Sequence, residues 1–485
     1  MALDHFITLF ISFVTVINIL LAAVILFVER RDVSSTWAWL IVLFFLPLIG
    51  FIVYIFLGRQ LRRKNFYKLT EDERRYLEFA VNEQLEQLKN RRLQHEIEIF
   101  RKYADLMEMN LRTSNALIST DNEIQIFHDG KDKFTSLFRD IAQAKREINI
   151  EYYIIQPDSL AERLRDELTK KAREGVKVRV LFDQVGSRRM RRSFFQELIS
   201  AGGEVEVFFP FFLKMVNLRL NNRNHRKLCV IDDEIAYIGG FNIGNEYLGL
   251  SKKFGYWRDN HLKLKGGAVH DIQGRFLLDW NQATNQNLVH FEDYAFHPNW
   301  ESGNSVVQIV GSGPNSTTEN IKNMYIKLIM SARKTVFIQT PYFIPDSSFM
   351  DACKIALLSG VDVRIMIPNK PDHPFVQWAT WTYAGELLSY GAKVLLYNGG
   401  FLHAKTVIVD QEVASVGTTN IDIRSFRLNF EVNAVLYDNQ MAERLQELFF
   451  RDSQACSELT RERYRDRSLG IRFKEAISRL LSPIL

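Results

Sequence analysis

A motif that occurs twice constrains this chain more than any other feature of its sequence. Residues 225–232 have the pattern His-x-Lys-x-x-x-x-Asp, and residues 403–410 repeat it 178 residues later. With ten histidines in 485 residues, chance would produce roughly 0.03 matches to this pattern. Both copies lie in short apolar runs rich in Val, Ile and Leu. We therefore interpret the motif as part of an internal duplication.

The repeat extends beyond the motif. Gly239 and Asn242 recur as Gly417 and Asn420 at the same spacing. Upstream of each motif, an apolar strand, a helical stretch ending at a glycine and a second apolar strand follow in the same order. Strands that alternate with helical stretches are typical of a parallel or mixed sheet covered by helices. The sequence predicts an α/β fold in which two duplicated lobes pack face to face and share one active-site cleft.

Two long uncharged stretches precede the lobes. Residues 6–28 and residues 37–57 contain no charged side chain, and each is long enough to cross the ~20-residue core of a bilayer. Neither is typical of a cleaved signal, because the first lacks a basic leading region and a second apolar stretch follows it. The sequence predicts an N-terminal hairpin of two transmembrane helices; a buried core helix is the alternative.

The distribution of basic residues predicts the orientation of this hairpin. Arg59, Arg62, Arg63 and Lys64 follow the second stretch, whereas the short loop between the stretches carries only two arginines. Cytoplasmic loops carry an excess of Lys and Arg, so the larger cluster is expected inside the cell. We expect a multi-pass protein of the cell membrane with its two lobes in the cytoplasm.

The remaining composition sets the predicted organisation and excludes some classes. Three cysteines without a paired spacing provide neither a disulfide framework nor a zinc site. A net charge of +5 is small for a polybasic nucleic-acid-binding protein. The C-terminal tail is basic and amphipathic, and it either lies on the membrane or packs on a lobe. The predicted domains are the transmembrane hairpin (1–60), a charged amphipathic helical linker (61–115), the first lobe (116–300), the second lobe (301–460) and the tail (461–485).

The motif brings together residues suited to phosphodiester chemistry. Residues i and i+2 of a strand share a face, so His225 is expected beside Lys227, and His403 beside Lys405. Buried ammonium groups need an anion, and a phosphodiester supplies one whose non-bridging oxygens the lysines neutralise. One neutral imidazole attacks phosphorus while the other protonates the leaving alkoxide. We predict that His225 is the nucleophile and His403 the general acid, and that no metal or cofactor is required.

Other residues are candidates for supporting this pair. A histidine needs a partner that fixes its tautomer, usually a carboxylate, and we predict this role for Asp259 and Glu431. Asp232 and Asp410 complete the two catalytic motifs, but their seven-residue offset puts them on the opposite strand face. We therefore interpret them as anchors of the following turn or of the lobe interface. Candidate contacts to the substrate phosphate, with turn geometry as the alternative, are Asn242, Thr418 and Asn420.

The paired motifs with their trailing Gly and Asn resemble those of the phospholipase D superfamily over roughly residues 120–455. Within it, the chain is similar to the bacterial cardiolipin synthases at residues 224–227, 239–244, 256–259, 339–343 and 420–425. This resemblance implies a phospholipid transferase in the bilayer. It implies that two molecules of the anionic lipid phosphatidylglycerol become cardiolipin and glycerol through a phosphatidyl-histidine intermediate. Gly240 stands where the second copy has Thr418, so the resemblance implies different roles for the two halves.

Four alternatives remain at this point. The same site would act as a phospholipase D-type hydrolase if water resolved the intermediate, or exchange headgroups with another phospholipid. Cleavage of nucleic acid is disfavoured by the membrane hairpin, the modest charge and the lack of aromatic and basic stacking platforms. A non-catalytic membrane scaffold is disfavoured because both His and Lys pairs are intact.

Overall fold

A computed structural model describes residues 2–27, 33–54, 58, 66–67, 69–89, 98–210, 221–286, 303–372 and 374–482. The chain begins with three apolar helices, α1 (Ala2–Phe27), α2 (Val33–Phe45) and α3 (Pro47–Val53). Within α1, His5–Phe27 is long and apolar enough to cross a membrane. The second predicted span is interrupted at Leu46, next to a proline that cannot donate a helical hydrogen bond. Its residues 55–57 lie outside the described part of the chain.

Two helices occupy the described part of the predicted linker, α4 (Glu71–Lys89) and α5 (Glu98–Ser114). The buried face of α5 carries Phe100, Tyr103 and Met107, which belong to the apolar core of the second half. The hydroxyl of Tyr103 also donates to the carboxylate of Glu412, with 2.8 Å between the oxygens. Helix α5 is therefore packed into the second lobe as part of its core.

The first half alternates strands and helices, as the repeat predicts. Its strands are β1 (Ile118–Phe127), β2 (Glu147–Tyr152), β3 (Lys177–Asp183), β4 (Glu204–Phe208), β5 (Arg223–Asn224), β6 (Lys227–Ile231), β7 (Ile235–Gly239), β8 (Trp257–Arg258) and β9 (His261–Lys265). Its helices are α6 (Gly130–Gln143), α7 (Ser159–Arg173), α8 (Gln196–Ser200) and α9 (Ala268–Thr284). The first motif begins just before β6 and ends after it.

The second half repeats this plan. Its strands are β10 (Ser305–Ser312), β11 (Thr335–Gln339), β12 (Phe343–Ile344), β13 (Asp362–Pro368), β14 (Lys393–Tyr397), β15 (Phe401–Leu402), β16 (Thr406–Val409), β17 (Val413–Gly417), β18 (Ile421–Asp422), β19 (Asn429–Tyr437) and β20 (Cys456–Glu458). Its helices are α10 (Asn320–Ser331), α11 (Ser347–Leu358), α12 (Pro374–Leu388), α13 (Ile423–Arg427), α14 (Asn439–Ser453), α15 (Arg461–Arg465) and α16 (Leu469–Leu481).

The duplication is visible in the order of the strands. From the centre outward, the first half runs β1-β9-β7-β6-β2-β3-β4 and the second runs β10-β19-β17-β16-β11-β13-β14. In each half the last three of these strands are parallel and the inner ones antiparallel. In the second half, β20 adds an antiparallel edge strand beside β14. Antiparallel pairing of β1 with β10 joins the halves into one continuous path. The predicted α/β fold of two duplicated lobes is confirmed.

The two halves also share an apolar layer. Leu228, Ile238 and Leu262 of the first half belong to the same buried cluster as Ile408 and Val416 of the second. Two further large clusters lie mainly within the individual halves. The motif strands β6 and β16 line the central layer, because alternate residues of each strand point into it. Packing in this layer fixes β6 and β16, and the motif histidines His225 and His403 lie just before the first residues of these strands.

Candidate active site

Each motif histidine is positioned by a strand of the opposite half. Strand β5, just before His225, pairs in parallel with the start of β19. Strand β15, just before His403, pairs in parallel with β8. The backbone N–H of His225 donates to the carbonyl of Phe430 (2.9 Å), and that of His403 donates to the carbonyl of Arg258 (2.7 Å). The main chain at each histidine therefore depends on contact between the two halves.

The side chains repeat this exchange. The Nδ1 atom of His225 lies 3.0 Å from the carboxylate of Glu431, and Nδ1 of His403 lies 2.7 Å from that of Asp259. Both carboxylates are fully buried. A carboxylate on Nδ1 holds the proton there and leaves Nε2 free for the reacting atoms. Each predicted orienting carboxylate thus lies against the histidine of the other half.

The two lysines approach their own histidines. Nζ of Lys227 donates to the carbonyl of His225 (2.6 Å). Nζ of Lys405 lies 2.8 Å from Nδ1 and 3.2 Å from Nε2 of His403. Burial lowers the pKa of Lys227 to about 7 and that of Lys405 to about 8. Because a negative charge at the site would raise both values, the arrangement favours binding of an anion.

Burial also controls the protonation of the histidines. It lowers the pKa of His225 and that of His403 to about 4, and the neighbouring lysines act in the same direction. Glu431 and Asp259 oppose this shift at their respective partners. Both imidazoles are therefore neutral at pH 7 in this arrangement, as an attacking nitrogen must be.

These shifts predict a dependence of stability on pH. The folded-state pKa values lie below the ordinary value of 6.5, so the unfolded chain binds more protons between pH 6.5 and 4. The free energy of unfolding should fall as the pH falls through this window, by up to about 1.4 kcal/mol per pH unit for each histidine. Denaturant titrations at pH 7, 6 and 5 measure this slope. A double His225→Gln/His403→Gln variant should have a shallower slope; an unchanged slope would contradict the assignment.

The histidines line one cavity of about 540 Å³. Asn242 and Asn420, the residues after each Gly turn, also line it. Asn242 is engaged in the protein, since its Oδ1 accepts from the N–H of Ile154 and its Nδ2 donates to the hydroxyl of Tyr247, both at 3.1 Å. Among the described residues, the Oδ1 atom of Asn420 is buried without a hydrogen-bond partner. Much of the remaining wall is apolar or aromatic, including Tyr153, Trp257, Ile344, Phe375, Val376 and Phe401.

Thr418 lies behind the cavity wall. It is fully buried, and its hydroxyl donates to Glu431, with 2.5 Å between the oxygens. At the equivalent position of the first half, a Cβ on Gly240 would come within 2.0 Å of the carboxylate of Asp259. In the second half, the longer Glu431 accepts a hydrogen bond from Thr418. In the first half, the shorter Asp259 has the equivalent place and lies directly against Gly240. This explains why the repeat departs from symmetry here.

The motif aspartates lie at the far ends of the motif strands. The carboxylate of Asp232 accepts from the backbone N–H groups of residues 145–147 at 2.6–2.9 Å. That of Asp410 accepts in the same way from residues 333–335 at 2.7–2.8 Å. Neither aspartate lines the cavity. Their placement anchors the entrances to β2 and β11.

Four charged cavity residues escaped the sequence reasoning, namely Glu246, Asp372, Asp422 and Arg424. Arg424 and Glu246 both line the cavity. Each lies four residues after the repeated asparagine of its half, Asn420 or Asn242. They occupy equivalent positions of the repeat with opposite charges. Comparing the two copies position by position beyond the Asn turn would have revealed this pair. The charged lining therefore differs between the halves, because the second half also contributes Asp372 and Asp422.

Comparison with known proteins now decides the family. Residues 137–260 and 325–453 match the family model described as cardiolipin synthase, phospholipase D-like domain. The chain belongs to this family. Residues 16–59 match the model described as phospholipase D-nuclease N-terminal. The resemblance inferred from the paired motifs is confirmed.

Similar proteins cover nearly the whole chain. The major cardiolipin synthase of Bacillus subtilis (strain 168) is 52% identical over 483 residues, 99% of each chain. The cardiolipin synthase of Listeria welshimeri is 50% identical over 470 residues, 97% of this chain and 98% of its own. The crystal structure of phosphatidylserine synthase from Haemophilus influenzae has a TM-score of 0.60 at 16% identity, covering 80% of this chain and all of the other. The latter likeness concerns the fold alone.

Proposed function

We propose that this protein is a membrane-bound transphosphatidylase that converts two phosphatidylglycerol molecules to cardiolipin and glycerol. Relatives that match almost the full chain are named cardiolipin synthase. The single observation that carries the proposal is the pair of crossed histidine–carboxylate contacts at one cavity. The cavity thereby acts as an active site shared by the two halves.

In the first step, Nε2 of His225 attacks the phosphorus of one phosphatidylglycerol. A P–N bond forms, the P–O bond to the glycerol headgroup breaks, and His403 gives the leaving alkoxide its proton. Lys227 and Lys405 bind the non-bridging oxygens. The bound phosphate also supplies negative charge that raises the pKa of His403 from about 4, so the imidazole can hold the proton it must donate.

In the second step, a headgroup hydroxyl of another phosphatidylglycerol attacks the phosphatidyl-histidine. His403, now neutral, accepts the proton of that hydroxyl; the new P–O bond forms and the P–N bond to His225 breaks. One phosphodiester replaces another, so the exchange needs no nucleotide. Arg424 and Glu246 support different contacts for the two lipids, because one favours a phosphate and the other a hydroxyl donor.

We further propose where the protein lies in the cell and which of its other residues contact the lipid. Two membrane spans within residues 1–60 hold the lobes against the cytoplasmic surface of the membrane. The exposed apolar side chains of α1 and α2 support burial in lipid, as at Phe6, Phe13, Phe27, Val33 and Phe44. Asn242 and Asn420 contact the bound phosphate, whereas Thr418 acts through Glu431. The largely apolar cavity wall accommodates acyl chains.

A lipid product assay tests this function. The full chain is reconstituted in vesicles that contain phosphatidylglycerol labelled in its headgroup, and the lipids and the aqueous phase are separated. We expect a diphosphatidyl lipid together with one released glycerol per cardiolipin. Phosphatidic acid as the sole lipid product would identify a hydrolase, and a mixed lipid formed only with another phospholipid would identify headgroup exchange. Absence of any turnover would overturn the enzymatic proposal.

A further inference from the structure

The C-terminal helix α16 has its amphipathic character reversed. A surface helix of a globular protein normally buries its apolar face and exposes its polar face. In α16 the side chains against the protein include Glu475 (4% exposed) and Ser478 (0%), whereas Leu469 (81%), Phe473 (66%) and Leu480 (56%) are exposed. The helix is held by polar contacts while Leu469, Phe473 and Leu480 face outward.

The exposed apolar residues form one continuous row. Leu469, Phe473, Ile477 and Leu480 recur at the spacing of one helix face, roughly opposite the face that contains Ser478. Basic residues lie between these two faces on both edges of the row, namely Arg472, Lys474 and Arg479. An apolar face bordered by cations is the pattern of a helix in the plane of a membrane interface with anionic lipid.

The protein supplies the contacts that keep this face outward. The guanidinium of Arg479 lies 3.2 Å from the carboxylate of Glu386 on α12, and Nζ of Lys474 lies 4.9 Å from the ring centroid of Trp378 on the same helix. The buried carboxylate of Glu475 pairs with Arg467 at 3.3 Å. These contacts orient α16 on α12 with its row of apolar side chains turned away from the lobe.

The row is continuous with the apolar N-terminal helices. Arg479 and Leu480 line a cavity of about 560 Å³ together with Trp37 and Ile41 of α2. Both α2 side chains are themselves exposed. The surface formed by α16 therefore adjoins the segment of the chain that is most apolar.

Helix α16 also reaches the active-site cavity. Ser482, which follows the helix, lines that cavity, and its hydroxyl is 2.9 Å from that of Tyr383 on α12. Phe375 and Val376 of α12 line the cavity as well. Any surface on which α16 rests is thereby connected to one wall of the site through two packed helices.

We propose that α16 is a membrane-docking helix: its row of Leu469, Phe473, Ile477 and Leu480 is embedded in the boundary between headgroups and acyl chains. The basic side chains at its edges bind anionic headgroups. Its end at Ser482 holds the wall of the active-site cavity at the bilayer surface. This second contact with lipid adjoins the N-terminal helices and does not depend on which lipid the enzyme converts.

Spin labels report the position of the row directly. In a Cys456→Ser background, the full chain is labelled at Phe473→Cys or Ile477→Cys and reconstituted in vesicles of phosphatidylglycerol and phosphatidylethanolamine. We expect both labels to collide more often with oxygen than with a water-soluble nickel complex. A label at Asp166→Cys, on the solvent face of α7 with 59% of its side chain exposed, is the control and should show the opposite preference. Labels at 473 and 477 that behave like the control would overturn the proposal.

An activity comparison tests the connection to the cavity. A Phe473→Ser/Ile477→Ser variant is expected to turn over vesicle lipid at least about fivefold more slowly, while turnover of dispersed short-chain phosphatidylglycerol stays near that of the unchanged chain. Equal loss on both substrates would contradict a role in docking. The labelling result remains interpretable even if no cardiolipin forms, so failure of this inference and failure of the proposed function are distinguishable.

Discussion

Replacing either His225 or His403 with Ala is expected to lower cardiolipin formation by a factor on the order of 10⁴ or more. Loss of the nucleophile prevents the P–N bond from forming, and loss of the proton donor leaves an alkoxide of high pKa as the leaving group. Each substitution also leaves a fully buried carboxylate, Glu431 or Asp259, without its partner. Turnover of labelled phosphatidylglycerol in vesicles measures the effect. His270→Ala, which removes a histidine that pairs with Asp233 outside the cavity, is the control and should retain activity.

A lipid with a nitrophenolate leaving group distinguishes the two histidines. Nitrophenolate leaves without protonation, so this substrate bypasses the general acid but still requires the nucleophile. We expect His403→Ala to release one equivalent of nitrophenol and to retain a phosphatidyl group on His225, detectable by mass spectrometry under alkaline conditions. His225→Ala should release none. The reverse result would exchange the two roles, and labelling of neither variant would contradict the covalent intermediate.

The second large loss of turnover is expected from replacing the crossed carboxylates Asp259 and Glu431. Asp259→Asn and Glu431→Gln are each expected to lower turnover by about 10²–10⁴-fold, because an amide no longer selects the tautomer in which Nδ1 carries the proton. Each carboxylate raises the pKa of its partner histidine. Removing Asp259 should therefore move the limb of the pH–rate profile that reports protonated His403 to lower pH. This shift distinguishes a positioning role from general destabilisation.

The nitrophenyl lipid tests whether the pairs really cross between the halves. Its first step should be largely restored in Asp259→Asn, whose defect concerns the general acid, and should remain slow in Glu431→Gln, whose defect concerns the nucleophile. Asp410→Asn is a matched control, since this carboxylate caps backbone N–H groups at the far end of β16. It should lower the free energy of unfolding and leave the shape of the pH–rate profile unchanged. Equal restoration in both site variants would contradict the crossed pairing.

Much of the fold and the centre of the site were predictable from the spacing of residues that lie close together in the sequence. The repeat of residues 225–232 at residues 403–410 indicates a duplication, and alternation of strands and helices within each copy indicates an α/β lobe. The two-residue periodicity of a strand places Lys227 beside His225 and Lys405 beside His403. The same rule turns Asp232 and Asp410 away from the cavity. These inferences need only local geometry.

The second predicted span shows where local pattern is insufficient. Residues 37–57 are uniformly apolar, and hydropathy alone indicates only that this stretch is long enough to cross a bilayer. In the structure, α2 ends at Phe45 and α3 begins at Pro47, because the ring of a proline removes a helical hydrogen bond. Whether this segment crosses the bilayer depends on its packing against α1, which composition does not report.

The sequence by itself determined the duplication, the α/β architecture, the histidine–lysine pairs and the two candidate carboxylates, because each is recorded in residue type and spacing. Only the tertiary structure decided that Glu431 contacts His225 and Asp259 contacts His403. It alone also decided that Arg424 and Glu246 line one cavity and that α16 turns its apolar row outward. Those features arise from contacts between residues far apart in the chain, and the strand exchange of β5 with β19 and β8 with β15 leaves no periodic trace in the sequence. Local periodicity specifies the face on which a side chain lies, whereas packing of the two halves specifies what that face meets.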